Sequence, residues 1–272
     1  MPRFLRIFLT FISFVMFFVL SLVIGTVLFP VAFLFALGNV QKHRDRCTRA
    51  VQWGYGTFLL WMKLAGLIEW EKIEFPEELK GKPYVVIANH PTLIDVLFLL
   101  HYFPKLTCVV KGTWYRNPFW TALLRSTHYL PGPLPSETSD ERIFQRMVEH
   151  VQSGHPLLMF PEGTRSQARD MHKFKRGAFE VAKRTGVPLI PVVIRVDRPM
   201  LMKGVPFWKV PKQHARWEFD LLEPIDTSTD PRNGKQLCRE IEADIGRRFA
   251  VWVQERERLG TFPAEEPETA EA

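Results

Sequence analysis

Asn89-His90-Pro91-Thr92-Leu93-Ile94-Asp95 separates two apolar runs, Tyr84-Val85-Val86-Ile87-Ala88 before it and Val96-Leu97-Phe98-Leu99-Leu100 after it. The first run is short and β-branched, as a buried strand is; the second continues as a helix. The stretch therefore predicts a strand over 84–88 that ends at a histidine, and a helix over 92–102. Pro91 suits the first helical position, which makes His90 the cap. Asp95 follows about one turn later, close enough to accept a hydrogen bond from the imidazole. An oriented imidazole–carboxylate pair at a strand end is what a general base requires. A capping histidine with an aspartate favoured by the helix dipole is the other reading of the same residues.

Working outward, apolar runs at 106–110, 127–130, 156–160, 188–194 and 216–222 read as further strands, with helical patterns over 139–153 and 175–185 between them. Strands alternating with helices imply a mostly parallel central sheet flanked by helices, an α/β fold. Leu237, Ile241, Ile245, Phe249 and Val253 recur every fourth residue and predict a long amphipathic helix over 233–258. The α/β domain is expected to cover 69–261, and the Pro-, Glu- and Ala-rich segment 262–272 to be a disordered acidic tail.

A second polar turn follows the strand expected at 156–160: Pro161-Glu162-Gly163-Thr164-Arg165-Ser166. Ligands of open α/β sheets bind beyond the carboxyl ends of strands. Here such an end carries a carboxylate, a glycine and a guanidinium, and arginine grips phosphate through two parallel donors. Glu162 could hold a substrate hydroxyl or fix the arginine. A surface turn with a local ion pair is the alternative.

Taken together, His90-Pro-Thr-Leu-Ile-Asp95 and Phe160-Pro-Glu-Gly-Thr-Arg-Ser166 resemble the first and third motifs of the glycerolipid acyltransferase family, which includes 1-acyl-glycerol-3-phosphate acyltransferase and relatives acting on other lysolipids. Their order and separation fit as well. Val187-Pro-Leu-Ile-Pro-Val-Val193 looks like the family's fourth motif, and Phe174-Lys-Arg-Gly-Ala178 like the basic segment after the third. The resemblance covers roughly residues 80–200 and implies a glycerol-3-phosphate acyltransferase-like fold. It also implies that His90 is the base, that Asp95 orients it, and that Glu162, Gly163, Thr164 and Arg165 receive the acceptor. No acyl-enzyme is needed: there is no Gly-x-Ser-x-Gly nucleophile elbow, and no cysteine has an obvious base partner.

The chain departs from the family at the second motif, where an arginine usually stands. The corresponding stretch reads Tyr129-Leu130-Pro131-Gly132-Pro133. Lys111 or Arg125 is the nearest replacement, and Lys173, Lys175 and Arg176 are further phosphate partners. The acceptor is therefore lysophosphatidic acid, another lysophospholipid or a glycolipid. Trp114, Tyr115, Phe119 and Trp120 form an aromatic cluster that could admit an acyl chain, touch a membrane or pack on the core.

Residues 7–37 are apolar and carry no charge, longer than the roughly 20 needed for a membrane-spanning helix. Arg3 and Arg6 precede the run, and Lys42, Arg44, Arg46 and Arg49 follow it. Positive charge on both sides disfavours a simple span, and Pro30 could break the helix. The segment is expected to enter and return, or to lie shallowly, with a single tilted span as the alternative. A second helix over 44–68 carries Trp and Tyr suited to an interface or to packing on the domain. Residues 1–68 are thus expected to form a membrane-associated helical region.

The chain of 272 residues carries a formal charge of +7, and four glutamates lie in 263–272, so the rest of the chain is at +11. Such a surface meets anionic partners. The basic residues are dispersed and no nucleic-acid signature appears, which argues against nucleic acid as the partner. Cys47, Cys108 and Cys238 form no C-x-x-C pair, so neither a disulfide framework nor a zinc site is expected, and a reducing compartment is. No cofactor or metal is implied. The expected partners are a lysolipid acceptor, acyl-CoA or acyl carrier protein as donor, and the bilayer, at the inner membrane with the domain facing the cytoplasm. A transacylase or hydrolase using the same pair is the alternative within lipid chemistry.

Overall fold

A computed structural model of the chain describes residues 1–35, 39–132, 140–166 and 169–260. Among them, seven strands make one sheet: β1 (Ile68–Trp70), β2 (Val85–Ala88), β3 (Thr107–Val110), β4 (Leu130–Pro131), β5 (Leu157–Met159), β6 (Leu189–Asp197) and β7 (Ala215–Leu221). The strand order is β1-β7-β6-β2-β5-β3-β4. β6, β2, β5, β3 and β4 run parallel; β7 is antiparallel to β6, and β1 is parallel to β7. The mostly parallel sheet expected from the alternating pattern is present.

Helices cover both faces. One face carries α3 (Val40–Leu64), α4 (Asp95–Tyr102) and α5 (Pro118–Arg125); the other carries α6 (Asp140–Gln152), α7 (Gly177–Thr185) and α8 (Gly234–Arg258). Two apolar clusters follow from this arrangement, because alternate residues of β2 point to opposite sides. Val86 and Ala88 join Phe98, Leu99 and Trp217, whereas Val85 and Ile87 join Phe179, Leu237 and Ile245. β2 is buried along its whole length, which is why its sequence reads as an unbroken apolar run.

Several boundaries differ from the sequence expectation. The helix expected from residue 92 begins at Asp95, so His90 is not its cap; Leu93 N–H is drawn to Leu201 O at 3.2 Å and Thr92 N–H to the Asp95 carboxylate at 2.6 Å. The strand expected at 127–130 is confined to Leu130–Pro131, because Thr127 closes a turn onto Leu124 O and His128 N–H goes to Thr48 Oγ1. β6 runs on to Asp197, paired with Arg216 of β7. β1 was not foreseen, being three residues long with a glutamate at its centre. The second helix runs Val40–Leu64 instead of 44–68, capped by the Asn39 side chain, and packs on α4. The acidic tail, Pro133 and the end of the apolar run at 36–37 lie outside the described residues.

The apolar run forms one continuous helical rod: α1 (Arg3–Val23), a π-turn (Ile24–Leu28) and α2 (Phe29–Leu34). Pro30 does not break it, because a π-turn just before a proline takes up the ladder bond that proline cannot donate. Gly25 in that turn meets α5 so closely that a Cβ would lie 2.9 Å from Leu123 N. α3 returns antiparallel beside the rod: Phe33 meets His43, Phe17 meets Phe58, and Trp61 Nε1 donates to Ser13 Oγ.

Asn89, fully buried at the end of β2, donates Nδ2–H to Ile194 O (2.8 Å) and accepts Ile194 N–H at Oδ1 (2.7 Å). This clamp continues the β2–β6 ladder past its last residue pair, Ala88–Val192, to Ile194 before the chain turns. Asn89→Ala leaves a buried N–H and C=O unpaired and is expected to lower unfolding stability by about 2–4 kcal/mol. Denaturant titration followed by circular dichroism measures it; a loss below about 0.5 kcal/mol would contradict the clamp.

Candidate active site

Ile87 of β2 pairs with Met159 of β5. Three residues beyond each of these positions come His90 and Glu162. The parallel register therefore brings the two polar turns side by side at the carboxyl rim of the sheet, although they are 72 residues apart in sequence.

Glu162 is buried, and its carboxylate is committed to the protein. Oε1 accepts His90 N–H at 2.9 Å and Ser166 Oγ–H at 2.7 Å, and Oε2 accepts His172 N–H at 2.7 Å. Ser166 N–H returns to His90 O at 2.7 Å. Glu162 is thus a brace on the backbone of His90, with its oxygens turned away from any acceptor hydroxyl. Phe160 leaves the end of β5 and lays its ring under the His90 imidazole, centroids 4.0 Å apart and planes 14° from parallel.

Asp95 is fully buried and opens α4. Four hydrogens converge on its two oxygens. Oδ2 accepts from Thr92 N–H (2.6 Å) and lies 3.1 Å from His90 Nδ1; Oδ1 accepts from Thr92 Oγ1 (2.5 Å) and Trp217 Nε1 (2.9 Å). A carboxylate that only accepts fixes the imidazole as the Nδ1–H tautomer. The lone pair then sits on His90 Nε2, which no described residue engages, and the side chain is 16% exposed. A neutral imidazole with an available Nε2 and a buried carboxylate behind it can take a proton from a hydroxyl.

The remaining candidates are spread along the rim. Arg165 is half-buried; one N–H goes to Leu201 O at 2.8 Å, the same carbonyl that holds Leu93 N–H. Burial lowers its basicity, and the Asp95 carboxylate opposes that shift. Gly163 adopts φ +72°, and Lys175 lies over it, Nζ 3.0 Å from where a Cβ would be. Thr164 is half-buried in the same turn. Lys111 ends β3 beside the second-motif stretch, where Gly132 N–H donates to Val110 O at 2.7 Å. Arg125 is exposed at the end of α5, and no contact links it to the His90 turn. Arg176 faces a separate basic hollow with Lys173, Lys235 and Arg239.

Three contributors escaped sequence reasoning: Trp217, Thr92 and the Leu201 carbonyl. Trp217 looks like an ordinary inward strand residue, and a backbone carbonyl has no sequence signal. Leu201 carries φ +60°, a strained conformation of the kind that gathers at functional sites.

Beneath the His90 turn lies an apolar cavity of about 170 Å³. Leu93, Ile94 and Leu201 form its side toward the turn, Leu97 and Leu124 its walls, and Phe17 of α1 closes it. Trp114 and Trp120 of the aromatic cluster stack on each other at 5.5 Å and also face it.

Residues 71–195 match the family model described as Acyltransferase. The 1-acyl-sn-glycerol-3-phosphate acyltransferase of Saccharomyces cerevisiae is 35% identical over 129 residues, 45% of this chain and 42% of that protein. The enzyme of the same name from Escherichia coli is 30% identical over 169 residues, 58% of this chain and 62% of that one. The aligned part thus spans less than two thirds of either relative's own length. The crystal structure of the 1-acyl-sn-glycerophosphate acyltransferase PlsC from Thermotoga maritima shares the fold, with a TM-score of 0.69 at 20% identity, covering 97% of this chain and 100% of that one.

Glu162→Gln preserves shape but turns an amide N–H₂ toward one of the backbone or hydroxyl donors that the carboxylate accepts. It is expected to lower stability by about 1.5–3 kcal/mol with no substrate present. Thermal unfolding of the detergent-solubilised chain checks this; an unchanged midpoint would return Glu162 to a substrate role.

Proposed function

We propose that the acyltransferase domain in residues 71–195 makes this chain an O-acyltransferase that moves a fatty acyl group from an acyl thioester to the hydroxyl of a lysolipid, most simply 1-acyl-sn-glycerol-3-phosphate. The observation that carries this reading is the 3.1 Å contact between His90 Nδ1 and the buried Asp95 carboxylate, which leaves Nε2 on the side of the ring away from Asp95. The acceptor hydroxyl gives its proton to Nε2 as its oxygen attacks the thioester carbonyl. The tetrahedral adduct collapses, the carbon–sulfur bond breaks, and the departing thiolate takes the proton from Nε2. No covalent enzyme intermediate is required. The acyl chain lies in the cavity under the turn. Arg165 and Lys175 hold the acceptor phosphate, with Lys111 in the place of the absent second-motif arginine. Acyl-CoA or acyl carrier protein is the donor, both anionic and attracted by a basic domain.

The helical rod supports a membrane setting. Its polar residues Arg6, Thr10 and Ser13 are buried against the domain, whereas Phe4, Phe8, Val15, Val19 and Val27 are exposed. That is the reverse of a soluble amphipathic helix and suits immersion in lipid. The rod meets the α/β domain at Phe11–Phe207, Phe17–Trp120 and Gly25–Leu123. A helix held so closely to the domain lies in the interface of the bilayer instead of crossing it, with the basic flanks at the cytoplasmic face of the inner membrane.

His90→Ala is expected to lower acyl transfer by roughly 10²–10⁴-fold while leaving thermal unfolding near that of the unmodified chain. The assay is product mass spectrometry across lysophosphatidic acid, other lysophospholipids and glycolipid acceptors. Fatty acid release without acceptor-dependent product would instead favour hydrolysis. Phe4→Asp, Phe8→Asp and Val15→Asp together should weaken binding to phosphatidylglycerol-containing vesicles more than about tenfold in a sedimentation assay, with folding retained. Unchanged vesicle binding would contradict interfacial immersion of this face.

A further inference from the structure

The opposite rim of the sheet, at the amino ends of β3, β4 and β5, gathers polar groups that the acyl-transfer reading does not use. Asp45 comes from the second turn of α3, His128 precedes β4, and His155 precedes β5. Asp45 Oδ1 lies 2.8 Å from His128 Nε2 and 3.9 Å from His155 Nε2, and the three ligand atoms lie within 4.8 Å of one another. In a tetrahedral site with bonds of about 2.0–2.2 Å, ligand atoms stand about 3–3.5 Å apart. The first two separations bracket that value, so small side-chain shifts would close the site.

The hydrogen bonds behind the cluster choose the tautomer. Ser153 Oγ–H donates to His150 O at 2.7 Å. Its oxygen, 2.9 Å from His155 Nδ1, is therefore left to accept. His155 carries its proton on Nδ1, and the Nε2 lone pair points at the Asp45 carboxylate. The Gln41 amide N–H meets this lone pair at 3.5 Å, and the 3.9 Å between the two acceptors leaves space for a cation to replace it. A metal-bound histidine is held in this way, its other ring N–H donated to a second partner.

We infer that Asp45, His128 and His155 form a binding site for a borderline divalent cation of the zinc class, which fastens the first turns of α3 to the sheet. Two imidazoles and a carboxylate are a donor set for such ions, and half-exposed Asp45 leaves a fourth position for water. Gln41, whose amide is 3.5 Å from His155 Nε2, would supply Oε1 there if its amide were reversed. When the ion binds, the single ring proton of His128, which Nε2 donates to Asp45 in the empty site, is exchanged through solvent to Nδ1 and leaves the Nε2 lone pair for the ion. Arg44 and Lys105 bring positive charge to His155, which sets the affinity below that of a thiolate site. The ligands lie on three separate elements, which is why no metal spacing is visible in the sequence.

The test uses the full, untagged chain in detergent, stripped with a chelator and titrated with zinc chloride in a calorimeter. The unmodified chain and His90→Ala are expected to bind one zinc ion saturably and to gain thermal stability from it. Asp45→Asn keeps an oxygen to accept from His128, and His155→Gln keeps a polar group. Both should bind at least about tenfold more weakly. Cobalt in place of zinc gives an independent readout on the unmodified chain, the intense visible absorption of a four-coordinate ion. Absence of saturable zinc binding, equal binding in the two variants, or a cobalt spectrum matching buffer would each overturn the site.

Discussion

One buried carboxylate organises the carboxyl rim of the sheet. Glu162 accepts the His90 N–H, the Ser166 hydroxyl and the His172 N–H, and so joins the ends of two neighbouring parallel strands to the segment that leads into α7. A buried charge is tolerated only when such donors surround it. The pairing is possible because Ile87 and Met159 are in register, which sets His90 and Glu162 at equal distances beyond the ladder. If the register slipped by one residue, the strand faces would exchange and the brace would be lost.

The second constraint is the start of α4. Thr92 turns its N–H and its hydroxyl onto Asp95, which delays the helix and fixes a carboxylate behind the imidazole. Trp217, from a strand on the far side of β6, supplies the last donor. His90 is therefore oriented by groups from β2, α4, β5 and β7 together, while the Phe160 ring supports its plane. The apolar cavity lies directly beneath the same turn. One loop thus carries polar groups on one side and borders an apolar cavity on the other.

Much of this was legible in the sequence, for identifiable reasons. β2, β5 and β6 are buried on both faces, so their apolar runs were unmistakable, and α8 announced itself by its i+4 apolar repeat. β1 was not legible, because a three-residue strand leaves no periodicity to detect, and β4 was expected over 127–130 but forms only at Leu130–Pro131. The His90–Asp95 pair and the Glu162–Arg165 turn were visible as polar interruptions at strand ends. Their convergence depends on strand register, which no local pattern encodes. Glu162 was read as holding a substrate hydroxyl or fixing the arginine, and its contacts to His90, Ser166 and His172 were not foreseen, because sequence gives residue type but not burial. Arg6 was read only as a basic flank of the apolar run, yet with Thr10 and Ser13 it marks the buried face of the rod.

The central claim is that the protein presents His90 as a neutral base with its proton on Nδ1 and its lone pair on Nε2. Long-range ¹⁵N–¹H correlation spectra of the histidine side chains report this directly, with His90→Ala assigning the signal. The spectrum should show the Nδ1–H tautomer for His90 at a pH where the ring is neutral, and lose it in Asp95→Leu, where no carboxylate remains to accept that proton. An Nε2–H tautomer in the unmodified chain would contradict the account.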